Sequence, residues 1–212
     1  MCGRFALHHP NDEIHERFSI ERPEFLTAPR YNIAPTQPIA VVTHERALVQ
    51  MRWGLVPRWS KDGKPFINAR AETVTEKPSF RANFNARRVI VPCSGFFEWR
   101  TEGKQKVPLH IRMHGGVLFG IAAIYEPGAT PTVALLTTAA NTVIRAVHDR
   151  MPVVIARDDE TTWLAGTPTE AAALLGPYPS PAFEMYPVST RVNGVGEDNP
   201  ALVEPERRGL FG

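Results

Sequence analysis

Short runs rich in β-branched and apolar residues recur along the chain, each bounded by Pro, Gly or a charged turn. They are Ile39 to Thr43, Ala47 to Trp53, Arg88 to Val91, Phe96 to Arg100, Val107 to Met113, Val117 to Tyr125, Val133 to Thr138 and Val153 to Ile155. Runs of this length and content predict strands. The two that flank His114-Gly115-Gly116 are the pair expected to close as a hairpin. Helical patterning is sparse. Asn11 to Phe18 opens on an asparagine cap and an acidic first turn, Asp158 to Leu164 also starts acidic, and Pro168 to Leu175 carries proline at a favoured first-turn position; Asn141 to His148 completes the set. Proline in Glu21-Arg22-Pro23 and along Tyr31 to Pro38 excludes helix there and predicts an extended loop. The chain therefore reads as α+β, a mainly antiparallel sheet with peripheral helices. From Asn199 it turns charged and loses apolar periodicity, so one domain over residues 1–198 with a mobile tail at 199–212 is expected.

Composition narrows the class. A chain of 212 residues, 43% hydrophobic and 22% charged, has the makeup of one globular domain with a sizeable core. No apolar run approaches the ~18 residues that span a bilayer, and the start MCGRF lacks the basic-then-apolar layout of a secretory signal. A cytoplasmic protein, nuclear if eukaryotic, with no membrane partner is the expectation. Two cysteines, Cys2 and Cys93, are too few for a disulfide scaffold and are read as free thiols.

Charge is unevenly placed. Gln50 to Arg100 holds ten Lys/Arg against four Asp/Glu, a local +6, whereas the rest of the chain sums to about −4. Trp53, Trp59, Phe66, Phe80, Phe84, Phe96, Phe97 and Trp99 are interleaved with that basic charge. A single-stranded nucleic-acid groove uses this mixture for phosphates and bases. A solvated face beside core aromatics has the same composition.

Cys2 carries the most distinctive chemistry. Removal of Met1 would leave a free α-amine and a thiol on adjacent carbons, a pair that captures an aldehyde first as an imine and then as a five-membered thiazolidine. An α-amine titrates near ~8, so about a tenth is neutral at pH 7, whereas a surface lysine is almost wholly protonated. Strand alternation puts Phe96 and Glu98 on one face and Phe97 and Trp99 on the other, so Glu98 sits on an apolar face where a carboxylate must be exposed, paired or functional. His148 is a candidate proton donor and acceptor at neutral pH.

MCGRF at residues 1–5, YNIAPTQ at 31–37, RWGLVPRW at 52–59, INARAET at 67–73, RRVIVPCSGFFEW at 87–99 and HDRMPVV at 148–154 resemble, in order, the motifs of the SOS response-associated peptidase family, the domain of abasic-site-processing proteins. The resemblance implies a mixed domain around a curved, mainly antiparallel sheet with a positively charged DNA-binding groove. It implies a monomer, without metal or cofactor, whose N-terminal cysteine crosslinks covalently to abasic sites in single-stranded DNA. By the same resemblance Cys2, Asn68, Glu98 and His148 form the catalytic set, with Glu98 as acid/base and His148 helping to open the sugar ring. Apart from the resemblance, Arg4 by its proximity to Cys2, and Arg70 and Arg150 two residues beyond Asn68 and His148, are within reach of the phosphates that flank such a sugar. Trp53 or Trp59 would stack on a base, at least one of the two being core, and Asn32, Pro35 and Phe84 would complete the groove.

Three rival readings use the same residues differently. A cysteine peptidase would employ Cys2, His148 and Glu98 but would not need a free amine. A zinc module lacks the paired C-x-x-C or H-x-x-x-H spacing in this chain. A non-covalent single-strand binder would need neither Cys2 nor Glu98.

Overall fold

The computed structural model describes residues 2–206. The expected strands form, but in two sheets. In one, the order across the sheet is Phe183–Pro187, Gln105–Met113, Gly95–Glu102, Phe5–Leu7, Arg30–Ile33, all antiparallel. The other runs Thr132–Ala139, Phe119–Glu126, Arg88–Cys93, Pro38–Val42, Ala47–Trp53 and then closes on itself, because Thr132 and Val133 pair in parallel with Arg52 and Trp53. Closure removes the free edges that an open sheet exposes. The short strand Asn68–Arg70 also joins in parallel, on Leu135 to Thr137, and this pairing delivers Asn68 to the start of the chain.

The sheet is thus α+β and mainly antiparallel, as expected, yet the predicted hairpin at His114-Gly115-Gly116 does not form. The strands on either side of that turn lie in different sheets, and the glycines, both at a φ of 71°, carry the chain from one to the other. The long hairpin instead joins Gly95–Glu102 to Gln105–Met113, with Glu102 opposite Gln105. Its two-residue loop places Gly103 at a φ of 59°, the first position of a tight loop, where a positive φ favours glycine.

The helices are peripheral. Asn11–Phe18 is helical, but Asn11 is inside the helix rather than capping it: its side chain bonds Thr27 and the cap position is Pro10. Pro168–Ala173 opens on a reciprocal cap between Thr167 and Glu170. Asn141 to His148 contains only a single 3-10 turn at Ile144–Ala146, and a short helix at Arg81–Ala86 had no signature in the pattern.

Alternation along Gly95–Glu102 sorts the interior. Phe96 packs in the main core with Cys2, Phe5 and Trp53, while Phe97 and Trp99 face a smaller cluster with Ala6, Val188, Val192 and Leu202. Leu202 is fully buried there. The described part of the segment expected to be mobile, Asn199 to Glu206, is therefore docked, and residues 207–212 lie outside the described residues. His110 reinforces this docking. Its ring is neutral, pushed down to about 3 by burial, then by His8 and Arg112. Tyr186 donates its hydroxyl proton to the Val203 carbonyl at 2.9 Å, so His110 Nδ1 must be the donor to the Tyr186 oxygen at 3.0 Å.

Gly95 lies against that histidine. A Cβ at this position would stand 2.3 Å from His110 Nε2 and 3.0 Å from the Ile111 carbonyl. With Nδ1 tied to Tyr186 the ring has nowhere to retreat. Gly95→Ala is expected to destabilise the fold by about 1–3 kcal/mol, read as a lower urea midpoint at an unchanged m-value.

Candidate active site

Four side chains converge where the chain begins. The Phe5–Leu7 strand pairs with Gly95–Glu102, which carries the first residues past Glu98. Asn68 donates its amide to the Cys2 carbonyl at 2.9 Å, fixing the backbone on which the thiol hangs. The thiol is fully buried. Its pKa is pushed far above the ordinary range, first by burial and then by the Glu98 carboxyl beside it. Glu98 is itself 3% exposed, and burial raises its pKa while His148 pulls the other way. Glu98 and His148 line one cavity of about 430 Å³ together with Trp99, Lys106 and Asn193.

His148 borders this cavity with polar partners on its ring. Its Nδ1 accepts from the Arg150 amide at 3.0 Å, which in the neutral ring puts the proton on Nε2. The Asp149 carboxylate stands 2.8 Å from the same Nδ1. Among the described residues no three His, Cys, Asp or Glu side chains are grouped as a metal site.

The family model for SOS response associated peptidase (SRAP) matches residues 1–195. The chain belongs to this family. Among its SRAP relatives, abasic site processing protein YoqW of Bacillus subtilis is 40% identical over 96% of this chain and 99% of its own length. Abasic site processing protein YedK of Escherichia coli is 30% identical over 97% and 100% respectively. A solved structure from Bacteroides thetaiotaomicron superimposes with a TM-score of 0.87 at 24% identity, covering 97% of this chain and all of that one, which shows the shared fold.

The remaining SRAP motif residues divide into surface and interior. Trp59 is 63% exposed in the turn after Pro57, whose neighbour Arg58 is tied to Glu126 at 2.9 Å; it can meet a base. Trp53 cannot: it is fully buried, donates Nε1 to the Ile67 carbonyl at 2.8 Å and stands edge-on to Phe5. Phe84 is likewise core, packed on Trp163, and its assignment to the groove is corrected. Arg70 is exposed and Pro35 half-buried at a turn, so both remain available. Arg150 grips Glu72 with two bonds of 2.5 and 2.9 Å and reaches the Thr137 carbonyl at 2.6 Å; a phosphate there must displace Glu72.

Arg4 and Asn32 are also corrected, from groove contacts to a buried strut. Arg4 Nη1 donates to Asn32 Oδ1 and to the Val192 carbonyl, both at 2.6 Å. Asn32 in turn donates to the carbonyls of Gly194 and Glu197, each at 2.8 Å. Together they hold the 190–198 segment against the N-terminal strand. Arg4→Met would strand these acceptors in a dry interior, so a stability loss of about 1–3 kcal/mol is expected by denaturant titration.

Three cavity residues carried no assignment from the sequence: Trp99, Lys106 and Asn193. Trp99 was visible only as one aromatic among eight. Asn193 precedes a glycine and reads as an ordinary turn.

Proposed function

We propose that this chain captures abasic sites in single-stranded DNA covalently; the relatives' names, which speak of abasic site processing, support the choice of lesion. Once Met1 is removed, the α-amine of Cys2 attacks the aldehyde of the ring-opened deoxyribose and one water leaves as the imine forms. The thiol then adds across the C=N bond, sulfur to carbon and hydrogen to nitrogen, closing a thiazolidine without any oxidant or reductant.

The observation that carries this reading is the arrangement at Cys2. Asn68 pins its backbone, the Glu98 carboxyl raises the pKa of its thiol beyond what burial does, and His148 shares the Glu98 cavity. Asn68 Oδ1 is buried with no hydrogen-bond partner among the described residues and can accept from an α-amine on the same residue. Glu98 is suited to take the thiol proton, because burial raises its carboxyl pKa above that of an exposed glutamate. His148 supports the earlier step, proton transfer to the sugar ring oxygen. Exposed Arg70 and Trp59 offer a phosphate contact and a stacking face.

The peptidase alternative fits this arrangement less well. A cysteine nucleophile in such an enzyme acts as a thiolate, favoured by a neighbouring cation or helix terminus. Here burial and an adjacent carboxylate both oppose ionisation of Cys2. The amine-first route needs no standing thiolate, since the imine carbon is brought within reach on the same residue.

The test compares processed protein with its α-amine free or acetylated. A heat-stable conjugate with an abasic single strand, none with the intact strand, and none after acetylation is the expected pattern. Full conjugation by the acetylated protein would contradict the proposal.

A further inference from the structure

The loop between Val56 and Phe66 carries Trp59, and its tie to the rest of the molecule is narrow. It opens where Val56 donates its amide to Thr132 Oγ1 at 3.1 Å and closes where Leu55 and Phe66 exchange backbone bonds of 2.9 and 2.8 Å. Phe66 then packs edge-on to Phe80. Inside those limits Ser60 bonds Pro57 and Asp62, and Lys64 bonds Asp62, all within the loop. Among the described residues one polar contact leads outward from Pro57 to Pro65, that of Arg58 Nε with Glu126 Oε1 at 2.9 Å.

Glu126 is fixed before it meets Arg58. It ends the strand Phe119–Glu126 and is buried, whereas Arg58 is exposed. Its Oε2 accepts from the Asn83 amide at 3.0 Å, and Asn83 Oδ1 accepts from Arg87 at 2.6 Å. Arg87 itself stands 3.9 Å from Oε1. The short helix Arg81–Ala86 thus orients the carboxylate from one side, and the other side offers the guanidinium a defined, charge-assisted partner. We infer that Glu126 is the positioning residue for Trp59: by holding Arg58 it sets the exposed indole of the next residue before a strand arrives. Arg58 then acts as a tether and not as a phosphate contact. A stacking side chain ordered in advance escapes the ordering cost at binding. This rests on the abasic-strand reading above and adds to it a residue that touches no DNA.

The experiment uses the full chain and a strand bearing a ring-locked tetrahydrofuran lesion, which binds without reacting. Glu126→Gln keeps the side-chain shape but turns toward Arg58 a nitrogen that cannot accept. It is expected to weaken binding by about 2- to 12-fold, the ~0.5–1.5 kcal/mol of ordering one side chain at an interface converted at about 1.4 kcal/mol per decade. The slope of log affinity against log salt should stay at the parent's, since no phosphate contact is lost. In a Trp59→Ala background, already weakened by the missing stack, Glu126→Gln should lose nothing further. Arg58→Gln cuts the same link from its exposed end and should show the same loss with the same dependence on Trp59; it stands in for the Glu126 variant if that one does not fold.

Tighter binding by Glu126→Gln with a salt slope steeper by about 0.7, the share of one phosphate on a single strand, would make Arg58 a phosphate contact that Glu126 restrains, and would overturn the tether. Unchanged affinity in Glu126→Gln, losses that multiply with those of Trp59→Ala, or a Trp59→Ala protein that binds as the parent does would overturn it too. Any of these results in a parent that still conjugates an aldehyde-bearing strand rejects the tether alone. A parent that forms no conjugate rejects the reading beneath it.

Discussion

Cys2→Ala is expected to abolish the heat-stable conjugate while leaving an imine that borohydride traps. Alanine at the processed terminus retains the α-amine, its carbonyl bond to Asn68 and its access to Glu98, so the first condensation survives. What disappears is the second nucleophile. An imine in water reverts by adding back the water it lost, whereas the ring closed by sulfur removes the C=N bond that water attacks. Cys2→Ser separates the two functions further, since an oxazolidine closes and holds less well than a thiazolidine. Cys2 is a small buried residue with one weak hydrogen bond, to the Arg4 carbonyl at 4.0 Å, so its loss should change stability by only about 1 kcal/mol. Denaturation midpoints close to the parent's would assign the lost conjugate to chemistry. A Cys2→Ala conjugate as durable as the parent's would remove the thiol from the account.

Glu98→Gln should show the second largest effect, a conjugation rate lower by about 10²–10⁴-fold, the usual contribution of a positioned acid/base group. Its stability should move the other way at neutral pH. Burial raises the Glu98 pKa in the folded chain, with His148 opposing in part. The folded pKa therefore exceeds the unfolded one, so the favourable contribution of the neutral carboxyl is complete below the ordinary glutamate pKa and is lost as pH rises through the folded value. Parent and Glu98→Gln should melt alike in mild acid, and the variant should melt higher near neutrality. A functional side chain that destabilises its own fold is expected where protons are moved. Equal melting temperatures across the whole pH range would mean that the carboxyl is not held above its ordinary pKa.

Most of the strands were legible in the sequence because they are short, β-branched and sharply bounded; Ala47 to Trp53 is a strand over just that span. Partner choice was not. The His114-Gly115-Gly116 turn has hairpin chemistry, but the flanking strands find better partners in separate sheets, and that preference is tertiary. Alternation correctly placed Phe96 in the main core and Phe97 and Trp99 on the smaller cluster, since a period of two holds wherever a strand has two buried faces.

The aromatics were the ambiguous signal. Trp53, Trp59 and Phe84 all lie in the same basic stretch, yet only Trp59 reaches solvent, because composition does not distinguish a groove lining from a core. Arg4 misled for a different reason. Its partners, Asn32 and Val192, are far away in sequence, so proximity to Cys2 suggested a phosphate contact where the fold makes a strut. Leu202 shows the same limit. Three consecutive apolar residues, Ala201 to Val203, in an otherwise charged and Pro-bearing segment give no period, yet Leu202, with Val203 packed beside it, seats that segment on the smaller cluster.

Intact mass after incubation with an abasic single strand tests the central claim most directly. The account predicts a protein that has lost its initiator methionine, joined to the strand with the loss of one water, and a product mass unchanged by borohydride because no imine remains to be reduced. A conjugate that retains Met1, or one that gains two hydrogens on reduction, would contradict it.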